Sequence, residues 1–244
     1  GAVTSFLYGF KEREPITDIF EELCGARLTM NFFRPGGSAF DAPETFLPRV
    51  REVISSIRKA VDEFHTLLTH NVIFQERTKG IGVLSREKAL AYGCSGAVLR
   101  GSGVDYDVRK NQPYSLYDQF DFSVPTGTTG DCFDRYLVRL EEMLQATNIL
   151  EQAVRRFPGG PHRSKVKAQY KLPAGSYWSQ VESARGLFGV YVVADGSAKP
   201  YRIKYRSPSF SNLQVLSELV IGHKIADLVA IIATLDLVIP DIDR

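Results

Sequence analysis

Two short stretches carry the residue types that hold and protonate a polar ligand. In Glu182-Ser183-Ala184-Arg185-Gly186 an acid and a base bracket small residues, and the glycine permits close backbone approach. The second stretch, Asp236-Leu237-Val238-Ile239-Pro240-Asp241-Ile242-Asp243-Arg244, alternates three acids and an arginine with branched apolar residues. As a free end it would fray. Folded inward, its apolar residues can line a pocket and its acids can perturb neighbouring protonation equilibria. Each residue also has a plainer reading: Arg13 as half of a helix-surface ion pair, Asp236 as a cap or turn acid, Arg244 as a salt bridge at the terminus, and 177–209 as a solvated hairpin.

Other constellations point away from chemistry. His65 and His70 are five apart, which is not the i, i+4 spacing of a helical metal pair. Cys24, Cys94 and Cys132 are far apart and share no CxxC spacing, so zinc ribbons, iron–sulfur ligation within this chain and a disulfide framework are disfavoured, and a reducing compartment fits. The GSG at 101–103 has no strand–GxGxxG–helix context and is not a nucleotide fingerprint. The run Asp105-Tyr106-Asp107-Val108-Arg109-Lys110 reads as a buried ion-pair network rather than a reactive centre. A formal net charge of +2 supplies no basic field for nucleic acid.

The elements that must position these residues are mostly helical. Apolar spacing predicts a helix over 2–23, with a kink or break at Pro15 and a stop at Gly25. An amphipathic helix follows over 44–70, then a short one from Ser85 to Gly93, then a long one over 131–157 that Pro158-Gly159-Gly160-Pro161 stops. His162 to Ser176 is polar and reads as a solvated loop. Gly189–Val193 and Tyr201–Arg206 read as strands joined by Asp195-Gly196-Ser197, and 212–220 and 225–235 as buried helices. An apolar content of 44% suits a globular core, and no run reaches the roughly 18 apolar residues of a membrane span.

Six separated motifs give this order a second meaning. FKERE at 10–14, GARLTMNFFRPGG at 25–37, GSGVDYDVRKNQPY at 101–114, GDCFDRYLVRLEEM at 130–143, the hairpin ESARGLFGVYVVADGSAKPYRIKYRSPSF and ADLVAIIATLDLVIPDIDR at 226–244 cover most of the chain. Together they resemble the quinone-proximal large subunit of respiratory complex I, a family similar to the large subunit of nickel-iron hydrogenases. The resemblance implies an α+β, mainly helical fold: a hydrogenase-large-subunit-like helical core with an antiparallel β-hairpin. It reads as a single domain over 1–244, with a helical core (1–157), a loop (158–176), the hairpin (177–209), and helices with a buried acidic tail (210–244).

The resemblance also implies a role. The chain would be a core subunit of proton-pumping NADH:ubiquinone oxidoreductase, in the peripheral arm on the matrix side of the mitochondrial inner membrane; GDCFDRYL favours the mitochondrial origin. Arg13, Arg185, Asp236, Val238, Asp241 and Arg244 match positions around the quinone cavity, Val238 as a wall. Arg34, Gly36, Gly37 and Ala39 match a loop that faces, without ligating, the 4Fe-4S cluster of the neighbouring small subunit. No cofactor would be bound by this chain alone, and ubiquinone would sit at a shared site. The family's N-terminal part, with a histidine and a tyrosine that contact the quinone head group, is absent. A separate polypeptide carrying that half is therefore expected, beside the cluster-bearing subunit and other peripheral-arm and membrane-arm subunits.

Several positions depart from the family. Ala39 stands where mitochondrial members often have histidine, which implies a weaker pH dependence of the cluster potential. Arg185 stands where many have lysine, Pro240 replaces a usual glycine, and the segment 158–176 is shorter than usual. A hydrogenase centre is excluded, since it needs four cysteine thiolates in two pairs and the matching regions hold Cys24 alone and DIDR. The remaining competitor is a scaffold subunit of the same arm without a working quinone site.

Overall fold

The computed structural model describes residues 3–167 and 171–243. In chain order its elements are α1 (Val3–Cys24), β1 (Phe33–Arg34), β2 (Gly37–Ser38), α2 (Phe46–Phe64), α3 (Val72–Glu76), α4 (Arg86–Ala91), α5 (Ala97–Gly101), α6 (Val108–Asn111) and α7 (Cys132–Arg155). They continue with β3 (Gly175–Ser183), β4 (Gly186–Ala194), β5 (Arg202–Arg206), α8 (Pro208–Gln214), α9 (Leu216–Leu219), α10 (Ile225–Leu235) and α11 (Ile239–Ile242). The fold is mixed and mainly helical, with two small antiparallel sheets, β1-β2 and β3-β4-β5. The chain forms two compact units, Gly1–His70 with Met143–Gln169, and Asn71–Glu142 with Tyr170–Arg244.

In the first unit, α2 buries Val50, Val53, Ile54, Ala60 and Val61, an i, i+3, i+4 pattern that recurs after two turns. Val50, Val53 and Ile54 pack with Ile19 of α1 and Val154 of α7, each burial contributing roughly 1.5–3 kcal/mol. Arg58 crosses from α2 to α7, donating to Glu151 at 2.7 Å and Asn148 at 3.1 Å. Two expectations need correction here. Pro15 does not break α1, which continues to Cys24: a proline removes one N–H bond from the ladder, and the apolar contacts of Ile16 and Ile19 hold the helix together beyond the gap. The helix stops at Gly25 as expected, with φ +74° and its N–H on Glu21 O at 2.8 Å. The second helix ends earlier, at Phe64, and passes into a π-helical turn over His65–Thr69.

The segment 162–164 is also more than a solvated loop. Exposed side chains hide a backbone that pairs with the β1–β2 hairpin: Ser38 N–H donates to His162 O at 3.1 Å, and Ser164 N–H to Gly36 O at 2.9 Å. A Cβ on Gly37 would lie 2.2 Å from His162 O, and one on Gly36 2.9 Å from Ser164 O. Both positions therefore demand glycine.

In the second unit, Leu84, Ala89, Cys94, Val98, Leu99, Val104, Cys132, Val215, Leu219, Ile231 and Leu235 form one core. Asp131 caps α7, its carboxylate accepting from Asp134 N–H and Gly80 N–H at 2.8 Å each. Arg135 is fully buried and spends its donors on Gly130 O (2.7 Å), Gly82 O (3.0 Å) and Thr234 Oγ1 (3.2 Å). That guanidinium ties the start of α7 to the last turn of α10.

The expected hairpin is the second half of a three-stranded sheet. β4 pairs with β5 from Gly189↔Arg206 to Val193↔Arg202, and with β3 from Gly175↔Ala194 to Ser183↔Gly186. The segment expected to be loop through residue 176 thus gives up Gly175 and Ser176 to an edge strand. Trp178 of β3 lies across Gly189, where a Cβ would be 2.2 Å from its ring. Asp195 begins the expected turn, its carboxylate accepting from Ser197 N–H at 2.9 Å.

Candidate functional site

Glu182-Ser183-Ala184-Arg185-Gly186 is the tight turn between β3 and β4. Ser183↔Gly186 closes the ladder and Ala184-Arg185 forms the tip. Behind it the backbone of Ser95-Gly96 approaches so closely that a Cβ on Gly96, at φ +68°, would lie 2.5 Å from Arg185 O. Ser95 Oγ accepts from Leu187 N–H at 3.1 Å and from Arg206 Nη1 at 2.9 Å. Asn212 fixes Ser95 in turn, accepting from its N–H at 3.2 Å and donating to its carbonyl at 3.4 Å.

Glu182 points the other way, into an ion cluster. Arg100, only 3% exposed at its side chain, lies 2.5 Å from Glu142, 2.9 Å from Glu182 and 3.6 Å from Asp107. Arg109 pairs with Asp107 at 2.6 Å, and Glu182 also accepts from Val108 N–H at 3.2 Å. Of the charged run 105–110, Asp107 and Arg109 join this buried network, while Asp105 and Lys110 are exposed. Burial pushes the Glu182 carboxyl up, Arg100 opposes that and Asp107 adds to it. For Asp107 burial works in the same upward direction, but the bonds and charge of Arg109, then Arg100, outweigh it and hold the carboxyl low.

The tail meets the tip of the turn. α10 ends at Leu235, and Asp236 is its C-cap, in the left-handed conformation at φ +52°. So the cap reading of Asp236 is correct, and it does not exclude a role at the site. Arg185 Nε donates to Asp236 O at 3.0 Å, and Arg185 Nη2 to Asp236 Oδ1 at 3.3 Å. The other carboxylate oxygen, Oδ2, is 3.9 Å from Arg139 Nε. Val238 N–H donates to Ser209 Oγ at 3.3 Å, and the Ser207 hydroxyl donates to Asp241. A recess of about 290 Å³ opens between turn and tail, lined by Ser183, Ala184, Arg185, Phe188, Pro208, Val238 and Asp241. Its walls are mostly apolar, with one guanidinium and one carboxylate at the rim, and its size suits a single ring rather than a long chain. The tail is half-buried rather than buried: Asp236, Val238 and Asp241 are partly covered, while Ile239, Pro240 and Asp243 are exposed, with Pro240 in the first turn of the short α11.

Arg185, Asp236, Val238 and Asp241 are therefore brought together by the structure. Arg13 is an exposed residue of α1 in the first unit, with its guanidinium 5.7 Å from the Phe10 ring centre. Its expected helix-surface carboxylate pairing is replaced by that ring contact. Arg244 lies outside the described residues. Arg34, Gly36, Gly37 and Ala39 belong to the β1–β2 hairpin of the first unit, where Arg34 donates to Asn31 and Ala39 N–H to Phe32 O at 2.7 Å. Leu28, Met30, Phe33 and Phe40 are exposed around that hairpin. A larger cavity of about 500 Å³ in the first unit is lined by Arg51, Arg58, Lys59 and Arg155 with Asp62 and Glu151. Glu151 there pairs with Arg58 and with Arg155, and Ile54 and Val154 supply the apolar part of the lining. Among the described residues there is no group of three or more His, Cys, Asp or Glu placed to hold a metal ion, and no helix is long and apolar enough to cross a membrane.

The sequence reading missed Arg139, Ser207, Ser209 and Ser95-Gly96. The serines carry no pattern of their own. Arg139 sits in GDCFDRYLVRLEEM, four residues after Arg135, and that i, i+4 pair of arginines was the available signal.

Residues 1–171 and 162–244 match the family described as "Respiratory-chain NADH dehydrogenase, 49 Kd subunit". The chain is 49% identical over 243 residues to the NADH-quinone oxidoreductase D subunit of Desulforamulus reducens, covering 100% of this chain and 66% of that protein. It is 47% identical over 244 residues to the corresponding D subunit of Bacillus mycoides, covering 67% of it. A similar 47% holds with the C/D subunit of the NADH-quinone oxidoreductase of Bacteroides thetaiotaomicron, of which the chain covers 46%. The chain thus spans about two thirds of the length of the first two relatives. These relatives are bacterial, so the mitochondrial origin expected from GDCFDRYL has no support in them.

Proposed function

From the premise that this chain belongs to the 49 kDa subunit family of respiratory-chain NADH dehydrogenase, we propose that its turn–tail recess is one wall of the quinone chamber of an NADH:quinone oxidoreductase. The observation that carries the reading is Arg185, held by Asp236 at the rim of a mostly apolar recess that Val238 and Asp241 also line.

Reduction of a quinone to a quinol adds two electrons and two protons, and negative charge develops on the ring oxygens as electrons arrive. A guanidinium fixed in place before the reaction stabilises that charge without reorganising. Arg185 is so fixed, by two hydrogen bonds to Asp236 and by the glycine-mediated packing behind its carbonyl. Val238 and Phe188 supply the apolar contact that a ring requires, and Asp241, with its Ser207 partner, is a carboxyl–hydroxyl pair able to relay a proton at the rim.

The rest of the role follows the family. Electrons would come from the 4Fe-4S cluster of the neighbouring small subunit, faced by the Arg34–Ala39 hairpin. NADH oxidation and proton translocation would belong to other subunits of the peripheral and membrane arms. The relative in which the C and D parts are joined in one chain supports a C-type neighbour. Arg13, Arg244 and groups from the further third of the relatives' length, whichever chain carries them, would complete the chamber, and the helical core would follow the hydrogenase large-subunit plan as a single domain.

The test is Arg185→Met and Asp236→Asn in the assembled complex. Losing a charged hydrogen bond of about 1.5–3 kcal/mol should lower kcat/KM for quinone by roughly 10- to 100-fold. NADH oxidation by an artificial acceptor that takes electrons before the quinone should be unchanged. Quinone kinetics within twofold of wild type in a fully assembled complex would favour the scaffold role instead.

A further inference from the structure

We infer that Arg139 is a further positioning residue of this site, acting on the recess through Asp236. The inference rests on the quinone reading above.

The geometry forms a chain of three charges. Arg185 lines the recess and is held by one face of Asp236, through its carbonyl and Oδ1. The opposite carboxylate oxygen faces Arg139 Nε at 3.9 Å. Arg139 itself is anchored on α7, donating from Nη1 to Arg135 O at 2.8 Å, and Arg135 bonds Thr234, two residues before Asp236. Asp236 is a non-glycine residue at φ +52°, a backbone conformation that other L-residues adopt at a cost. One carboxylate is shared between two guanidiniums, so where the Arg185 head points depends on how Asp236 divides between them. Removing Arg139 frees one side of the carboxylate. Asp236 can then rotate toward Arg185 alone, changing where the Arg185 head points while leaving it charged.

That role differs from packing in what it alters. With Arg139→Met, kcat/KM for quinone per assembled complex should fall about tenfold, short of the roughly 100-fold that a 1 Å misplacement of a reacting group can cost. Arg139→Lys, which keeps the charge, should recover part of the loss. In the double variant Arg139→Met/Asp236→Asn the loss should match Asp236→Asn alone, since Arg139 acts through that carboxylate. All four are measured in the assembled complex, with artificial-acceptor activity as the measure of intact complex. Additive losses in the double variant overturn the inference, as does an Arg139→Met complex that forms in lower yield but reduces quinone normally. Unchanged Arg139→Met kinetics beside an impaired Asp236→Asn overturn it alone. Unchanged kinetics in Arg185→Met and Asp236→Asn remove the quinone reading, and this inference with it.

Discussion

Arg100→Met is the sharpest test of how the Arg185 turn is held. The side chain is 3% exposed and meets three carboxylates, Glu142, Glu182 and Asp107, at 2.5, 2.9 and 3.6 Å. Each attraction is of order 5 kcal/mol at an effective dielectric constant of about 20, but taking these groups out of water offsets most of it. Removing the cation is the expensive direction, because it takes from three carboxylates, two of them nearly fully buried, the guanidinium they share. The expected loss is about 3–5 kcal/mol. With a urea slope of about 2–3 kcal/mol/M, the midpoint should drop by about 1–2 M. Trp178, the sole tryptophan, reports the transition by fluorescence from the sheet that Glu182 belongs to. The sign of the pH dependence is fixed as well. Burial already raises the Glu182 carboxyl and Arg100 is the group that opposes it, so the variant must raise it further. A carboxyl raised in the folded state keeps its full contribution below its unfolded pKa of about 4.3 and loses it as pH rises through the folded value. The deficit of Arg100→Met should therefore widen as pH rises above the unfolded value of about 4.3. A midpoint shift under about 0.3 M, or a deficit that narrows with rising pH, would refute the account.

Two further outcomes follow from the same geometry. Asp134 is pulled up by burial, but the N–H groups of Thr129 and Thr128, with the Thr129 hydroxyl and Gly130 N–H, hold its carboxyl below the usual range; Asp134→Asn should cost about 1 kcal/mol at neutral pH, and urea midpoints should show the gap closing as pH falls below about 3.9. Gly96→Ala places a methyl 2.5 Å from Arg185 O at φ +68°, so it should raise the quinone KM of the assembled complex with a smaller change in artificial-acceptor activity.

Local pattern made the long helices legible. The apolar stripe of α2 and the acid-to-base polarity of α7 depend only on neighbours a few residues away, and both elements stand where the spacing put them. β3 was missed because its side chains from Ser176 through Ser179 are all exposed, with no buried face to give an alternating pattern, and it becomes a strand only by pairing with β4. Pro15 misled because propensity was read without packing. At the site, Arg185, Asp236, Val238 and Asp241 were legible through resemblance, since their partners are up to 51 residues away and no local rule links a β-turn to a helix cap. Arg139 and the Ser95-Gly96 backbone were illegible for the same reason: their significance is a distance, set by α7, α10 and two glycines.

The pairing of Gly36 with Ser164 also orders events in time. The two residues are separated by 128 positions. At about 5–20 residues per second of synthesis, roughly 6–25 s pass between the emergence of the hairpin and of the backbone that completes it. During that interval Leu28, Met30, Phe33 and Phe40 surround a two-strand ribbon whose free edge has no partner yet. A lone ribbon is barely stable in water, so the nascent chain carries this loop as unfinished structure until its own later segment arrives. The hairpin is thereby completed only once residue 164 has been made.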